Sequence, residues 1–130
     1  MKQIVVIADD HEGNRKTLKD ILEYHLNAKR PGVYEVEHRS VSNAIESLRS
    51  LGRKDIALVI ADPGDPTQTE RHTFFQKGLP RQTKFIGLTC YSDEIPCYHP
   101  EKNPTSKYYA KPVKIPELLH AVEVELKIAA

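Results

Sequence analysis

The run IALVIADPG, residues 56–64, decides how the rest of the chain reads. Ile56 to Ala61 form an unbroken apolar stretch, the mark of a strand covered on both faces. The stretch stops on Asp62, and Pro63 and Gly64 then turn the chain. Two similar runs flank it in the sequence. Gln3 to Ala8 (QIVVIA) stops on Asp9 and Asp10, and Phe85 to Thr89 (FIGLT) stops on Thr89 itself.

Between these runs the apolar period changes to that of a helix. Leu18, Ile21, Leu22 and Leu26 share a helical stripe that ends at the breaker Lys29 to Gly32. Val33 to Glu37 alternates, as a half-buried or edge strand does. Ala44, Ile45, Leu48 and Leu51 make a second stripe, with Gly52 placed to cap it. Thr69 to Lys77 reads as a shorter helix stopped by Gly78 and Pro80, and Lys107 to Ala110 as a short last strand. Ile115, Leu118, Leu119, Val122 and Leu126 place a final helix, with Pro116 in its first turn, where no donor is lost. Strands alternating with helices imply a parallel sheet covered on both faces, whose site lies at the carboxyl ends of the strands.

Composition bounds the function. The chain has 130 residues, enough for one domain (1–130) and a real core without metal or disulfide staples. Lys plus Arg is 19 and Asp plus Glu is 18, so the basic excess of a nucleic-acid binder is missing. No apolar run approaches the roughly 20 residues of a membrane span, and no secretory h-region opens the chain. The expectation is a soluble cytoplasmic protein with no direct nucleic-acid or membrane partner. Cys90, Cys97 and His99 do not match the spacing of a zinc site, and no glycine-rich nucleotide cradle occurs.

The residues that end the strands converge chemically. Asp9, Asp10, Asp62, Thr89 and Lys111 would meet at one edge of the sheet. Carboxylates brought close repel, and a hard divalent cation such as Mg²⁺ relieves them while keeping positions open for water and phosphate oxygens. Such a set suits phosphoryl transfer onto a carboxylate. Each residue also has a plainer reading: Asp9 or Asp10 as a helix cap, Asp62 as a turn opener, Thr89 as a strand residue, Lys111 as a surface lysine, and Tyr108 as strand packing.

In this order, Asp9-Asp10, Asp62 with Pro66 four residues on, Thr89, Tyr108 and Lys111-Pro112 resemble the pattern of response regulator receiver (phosphoacceptor) domains of two-component systems. The resemblance covers nearly the whole chain. It implies a flavodoxin-like, doubly wound, five-stranded parallel sheet of order 2-1-3-4-5. It also implies Asp62 as phosphoacceptor, Thr89 and Lys111 on the phosphoryl oxygens, and Tyr108 as a switch that turns inward on phosphorylation. Mg²⁺ would be held by Asp9, Asp10, Asp62 and the Gly64 carbonyl. The implied partners are a sensor histidine kinase or phosphotransfer protein and a downstream protein target. By this reading the protein is not an enzyme beyond slow self-directed phosphotransfer and dephosphorylation. It is either a stand-alone receiver or one cut from a larger regulator or hybrid kinase.

Several features depart from that pattern. Pro63 and Gly64 follow the acceptor, Cys90 stands where a smaller residue is usual, and Tyr91 comes next. Ser92 to Ser106 carries Pro96, Pro100 and Pro104, so an irregular loop is expected where the family places its fourth helix. Two other functions use overlapping chemistry. A small Mg²⁺-dependent aspartyl-phosphate phosphohydrolase would carry D-x-D-x-[TV] after strand one, which Asp9-Asp10 does not match. A phosphorylation-independent pseudo-receiver would keep the acidic pocket as a relic.

Overall fold

A computed structural model describes residues 2–51, 55–64, 67, 69–80, 83–90 and 106–128. Pro66, the cap at Gly52, and the loop expected over residues 92–106 in place of a fourth helix lie outside the described residues, except Ser106, which is the first residue of the last strand.

The three apolar runs are the three central strands: β1 (Gln3–Ala8), β3 (Ile56–Ala61) and β4 (Lys84–Thr89). Edge strands β2 (Tyr34–Arg39) and β5 (Ser106–Ala110) complete one parallel sheet of order β2-β1-β3-β4-β5. This is the flavodoxin-like topology. β2 starts one residue later than its alternation predicts and runs to Arg39, because its register against β1 continues to the Ala8–Arg39 pair.

Because successive strand residues face opposite sides, the sheet separates two cores. Val5, Ile7, Leu58, Ile60, Ile86 and Leu88 pack under α1 (Glu12–Lys29) and α4 (Ile115–Leu126). Ile4, Val6, Ala8, Val59, Ala61 and Phe85 pack under α2 (Val41–Leu51) and the pair Phe74 and Phe75. Ile56 and Leu58 lie in opposite cores although two residues apart, because the β1–β3 register slips by one residue between Ile4 and Val5. His25 and Lys29 of α1 both reach Glu123 of α4, at 3.1 and 3.2 Å. Those two partners hold the Glu123 carboxyl below the ordinary glutamate pKa.

The stretch expected as one helix over 69–77 divides. It is α-helical as α3 (Thr69–Thr73), then widens into a π-helical turn over Phe74–Gly78. Both neighbouring phenylalanines are buried, and Phe75 stacks on Phe85 with centroids 5.2 Å apart. A wider turn brings adjacent side chains nearer to one face, which two consecutive core aromatics require. α4 begins where the sequence places it, with Pro116 in its first turn. Among the described residues, no helix is long and apolar enough to cross a membrane.

Candidate functional site

The backbone positions the site by extending the sheet ladder one residue past three strand ends. Asp9 N–H donates to Arg39 O (3.1 Å), Asp62 N–H to Ala8 O (3.0 Å), and Lys111 N–H to Thr89 O (2.7 Å). These residues are therefore fixed by the same hydrogen bonds that build the strands. Lys111 precedes Pro112 across a cis peptide bond.

Their side chains meet. Lys111 Nζ donates to Asp9 Oδ2 at 2.9 Å and to Asp62 Oδ2 at 2.6 Å. Asp9 is buried and the other two side chains are about one-fifth exposed (19% for Lys111, 20% for Asp62), so solvent screens the cluster only partly. Burial alone pulls the Lys111 pKa down. Hydrogen bonds to Asp62 and Asp9, reinforced by their charges, outweigh that and raise it above the ordinary lysine value. The lysine is thus a permanent cation at neutral pH.

The remaining oxygens are also occupied. Asp62 Oδ1 accepts the Gly64 N–H at 2.9 Å, a tight turn in which Gly64 takes φ of +80°, a conformation other residues rarely adopt. The contact described for Gly64 is through its amide, not through the carbonyl expected as a metal ligand. Asp9 Oδ1 accepts the His11 N–H at 2.8 Å. His11, not either aspartate, is the N-cap of α1, its Nδ1 accepting from Asn14 N–H at 3.1 Å. The capping role open to Asp9 and Asp10 at α1 is corrected accordingly: Asp9 steadies the residue that caps.

Asp10 stands apart. Its Oδ1 accepts the Val41 N–H at 3.0 Å, at the start of α2, and its Oδ2 accepts from Arg71 Nη1 at 3.1 Å. Asp9 and Asp10 leave the strand on opposite sides. Asp9 turns to Lys111, while Asp10 meets the free amides and positive dipole end of α2. The expected cluster of three carboxylates is in this structure a pair, Asp9 and Asp62, with Asp10 beside it. Among the described residues, no group of three or more His, Cys, Asp or Glu side chains gathers as metal ligands do. Hard carboxylate oxygens converging on one cation do fit Mg²⁺ in kind, since that ion commonly takes one or two carboxylates and keeps its waters.

Thr89 is fully buried at the end of β4, next to β3, the strand that Asp62 follows. Tyr108 pairs with Gly87 across β4 and β5, and its ring meets Phe85 edge-on, centroids 5.6 Å apart. A Cβ at position 87 would stand 2.3 Å from Tyr108 Cδ1, so the ring lies across the bare glycine backbone. The Tyr108 ring thus lies inward over the sheet, where Gly87 leaves the space for it.

Arg15, Ser42, Arg71 and Gly87 were not legible as site residues. Arg15 Nη1 donates to the Asp9 carbonyl at 3.1 Å and its Nε to His38 Nδ1 at 3.2 Å. A cation in the first turn of a helix opposes the helix dipole, which was the available signal for Arg15. Arg71 left none, since its partner is 61 residues away.

No family model matches the sequence, and no curated protein matches it. Solved structures do. A response regulator receiver protein from Burkholderia phymatum superposes with TM-score 0.71 at 19% identity, over 99% of this chain and 98% of that one. A signal receiver domain of a two-component histidine kinase from Clostridium thermocellum gives TM-score 0.71 at 22% identity, over 98% and 100%. A response regulator from Thermotoga maritima gives 0.69 at 19%, over 98% and 99%. The chain has the fold of response regulator receiver domains along nearly its whole length.

Proposed function

We propose that the protein is a phosphorylation-dependent signalling receiver in which Asp62 takes a phosphoryl group from the phosphohistidine of a sensor kinase or phosphotransfer protein. The observation that carries this reading is the convergence of Asp62 and Asp9 on the Lys111 ammonium at the carboxyl edge of the sheet. An Asp62 carboxylate oxygen attacks phosphorus, the P–N bond to the imidazole breaks, and the departing ring nitrogen keeps the electron pair. The product is an acyl phosphate on Asp62. Little covalent difficulty attends this transfer, so positioning and charge neutralisation carry it.

Lys111 supplies one cation, ready to pass from the Asp62 carboxylate to the phosphoryl oxygens. Mg²⁺ bound at Asp9 and Asp62 would neutralise further charge on the transferring group; Asp10 and the Gly64 carbonyl join that set by resemblance to receivers. A cleft of about 390 Å³ lies beside Asp9 and Lys111, walled by Leu18, Leu88 and Val113. In this reading Thr89 joins Lys111 on the phosphoryl oxygens, and Tyr108 is the aromatic switch residue beside them. The site acts on itself rather than turning over a substrate, and the protein works in the cytoplasm through a downstream protein partner.

The position of Asp10 favours a second reading, a phosphorylation-independent pseudo-receiver, because one expected metal ligand is engaged elsewhere. Incubation with acetyl phosphate and Mg²⁺, followed by intact-mass measurement, separates the two. A receiver gains a single phosphoryl group that Asp62→Asn abolishes; a pseudo-receiver gains none. Steady hydrolysis of p-nitrophenyl phosphate would instead identify a phosphohydrolase.

A further inference from the structure

Asp10 is held by more than one group. Val41 N–H fixes one carboxylate oxygen at 3.0 Å and Arg71 Nη1 the other at 3.1 Å. Arg71 is itself aimed by a second bond, Nη2 to Ser42 Oγ at 3.1 Å. The guanidinium thus forks between the Asp10 carboxylate, two residues beyond β1, and the first turn of α2, using the planar geometry that a lysine lacks. The Arg71 side chain is 22% exposed, while Asp10 is 59% exposed, so the arginine is the better fixed of the two. Asp9, one residue earlier, is drawn to Lys111 instead.

We propose that Arg71 is a positioning residue that latches Asp10 against α2, so that a divalent cation at Asp9 and Asp62 gains its third carboxylate only when the Arg71–Asp10 pair opens. This rests on the divalent site of the proposed function. The acidic edge meets the chain's own cations, Lys111 for Asp9 and Asp62, and Arg71 for Asp10. Cation entry is then an exchange of partners rather than the filling of a ready cage. Its affinity is lowered by the energy of the latch. Ser42 sets the direction of the fork, and α2 carries the result, because the Asp10 that leaves frees the Val41 amide in its first turn, while Ser40 Oγ still caps the helix at Asn43 N–H.

Mn²⁺ affinity, read from the free-ion paramagnetic resonance signal, tests the latch on the intact chain. Arg71→Ala should bind Mn²⁺ about two- to five-fold more tightly than the parent, the range commanded by an exposed ion pair. Arg71→Lys, which keeps the charge and loses the fork, should fall between. Loss of a general positive charge would also tighten binding, so the cycle with Asp10→Ala decides. The latch requires that Arg71→Ala give no gain when Asp10 is already alanine. An equal gain in both backgrounds, or none in either, overturns it while leaving the divalent site standing. Absence of Mn²⁺ binding in every variant, parent included, overturns the divalent site and the latch with it.

Discussion

Asp9 and Asp10 are neighbours in the chain, yet their carboxylates finish in different surroundings. Asp9 is buried against Lys111 from the far end of the sheet, and Asp10 is mostly exposed against α2 and Arg71. One serves a three-residue charge centre; the other ties a helix to a strand. The difference shows that an acidic pair at a strand end is two positions, not one feature. Strand alternation sends the side chains apart, and whatever each meets decides its chemistry.

That contrast is broken most strongly at Lys111. Lys111→Met leaves Asp9 and Asp62 facing each other without their cation, and breaking a largely buried pair in this way is strongly destabilising. With about a fifth of the lysine exposed, a loss of about 2–3 kcal/mol in urea unfolding is expected. Because its pKa is raised, the contribution is fully present below the ordinary lysine value of 10.5 and fades only as pH rises through the higher folded value. The gap between parent and variant should therefore stay level through the neutral range and narrow only in strong alkali. A gap already closing at neutral pH would contradict the assigned charge centre.

Gly87 offers the next largest effect. Gly87→Ala places a Cβ inside the Tyr108 ring position, and relieving such overpacking costs about 1–2 kcal/mol. Tyrosine near-ultraviolet circular dichroism should change as the ring turns out. Unaltered stability and spectrum would mean that Tyr108 does not depend on the glycine.

Asp10 gives the smallest effect and the one that reverses the sequence expectation. A crowded carboxylate trio predicts that removing Asp10 stabilises the metal-free fold. In the structure Asp10 accepts from Val41 and Arg71, so Asp10→Ala should destabilise it. Discounted for exposure, the loss is below about 1 kcal/mol. A higher midpoint of unfolding without metal would restore the trio.

The sheet was legible because its information is local: IALVIA, QIVVIA and FIGLT announce buried strands, and their ends fall within a residue of β3, β1 and β4. The residues that end them were legible for the same reason, as Asp9, Asp62 and Lys111 are placed by the ladder. What escaped depends on distant partners. Nothing near Arg71 signals Asp10, nothing near Gly87 signals the ring from β5, and the π-helical turn answers to Phe85 across the core. Alternation separates the two side chains locally, but what Asp10 then meets is a tertiary property, so its fate needed the structure.

The central claim is that Asp62, and neither aspartate of the neighbouring pair, accepts the phosphoryl group. Acetyl phosphate treatment with Mg²⁺, followed by borohydride, reduces an acyl phosphate to the alcohol and marks the residue that carried it, which peptide mass mapping then locates. The account predicts a single mark at Asp62, lost in Asp62→Asn. A mark at Asp9 or Asp10, or no mark in a protein that binds the divalent ion, would contradict it.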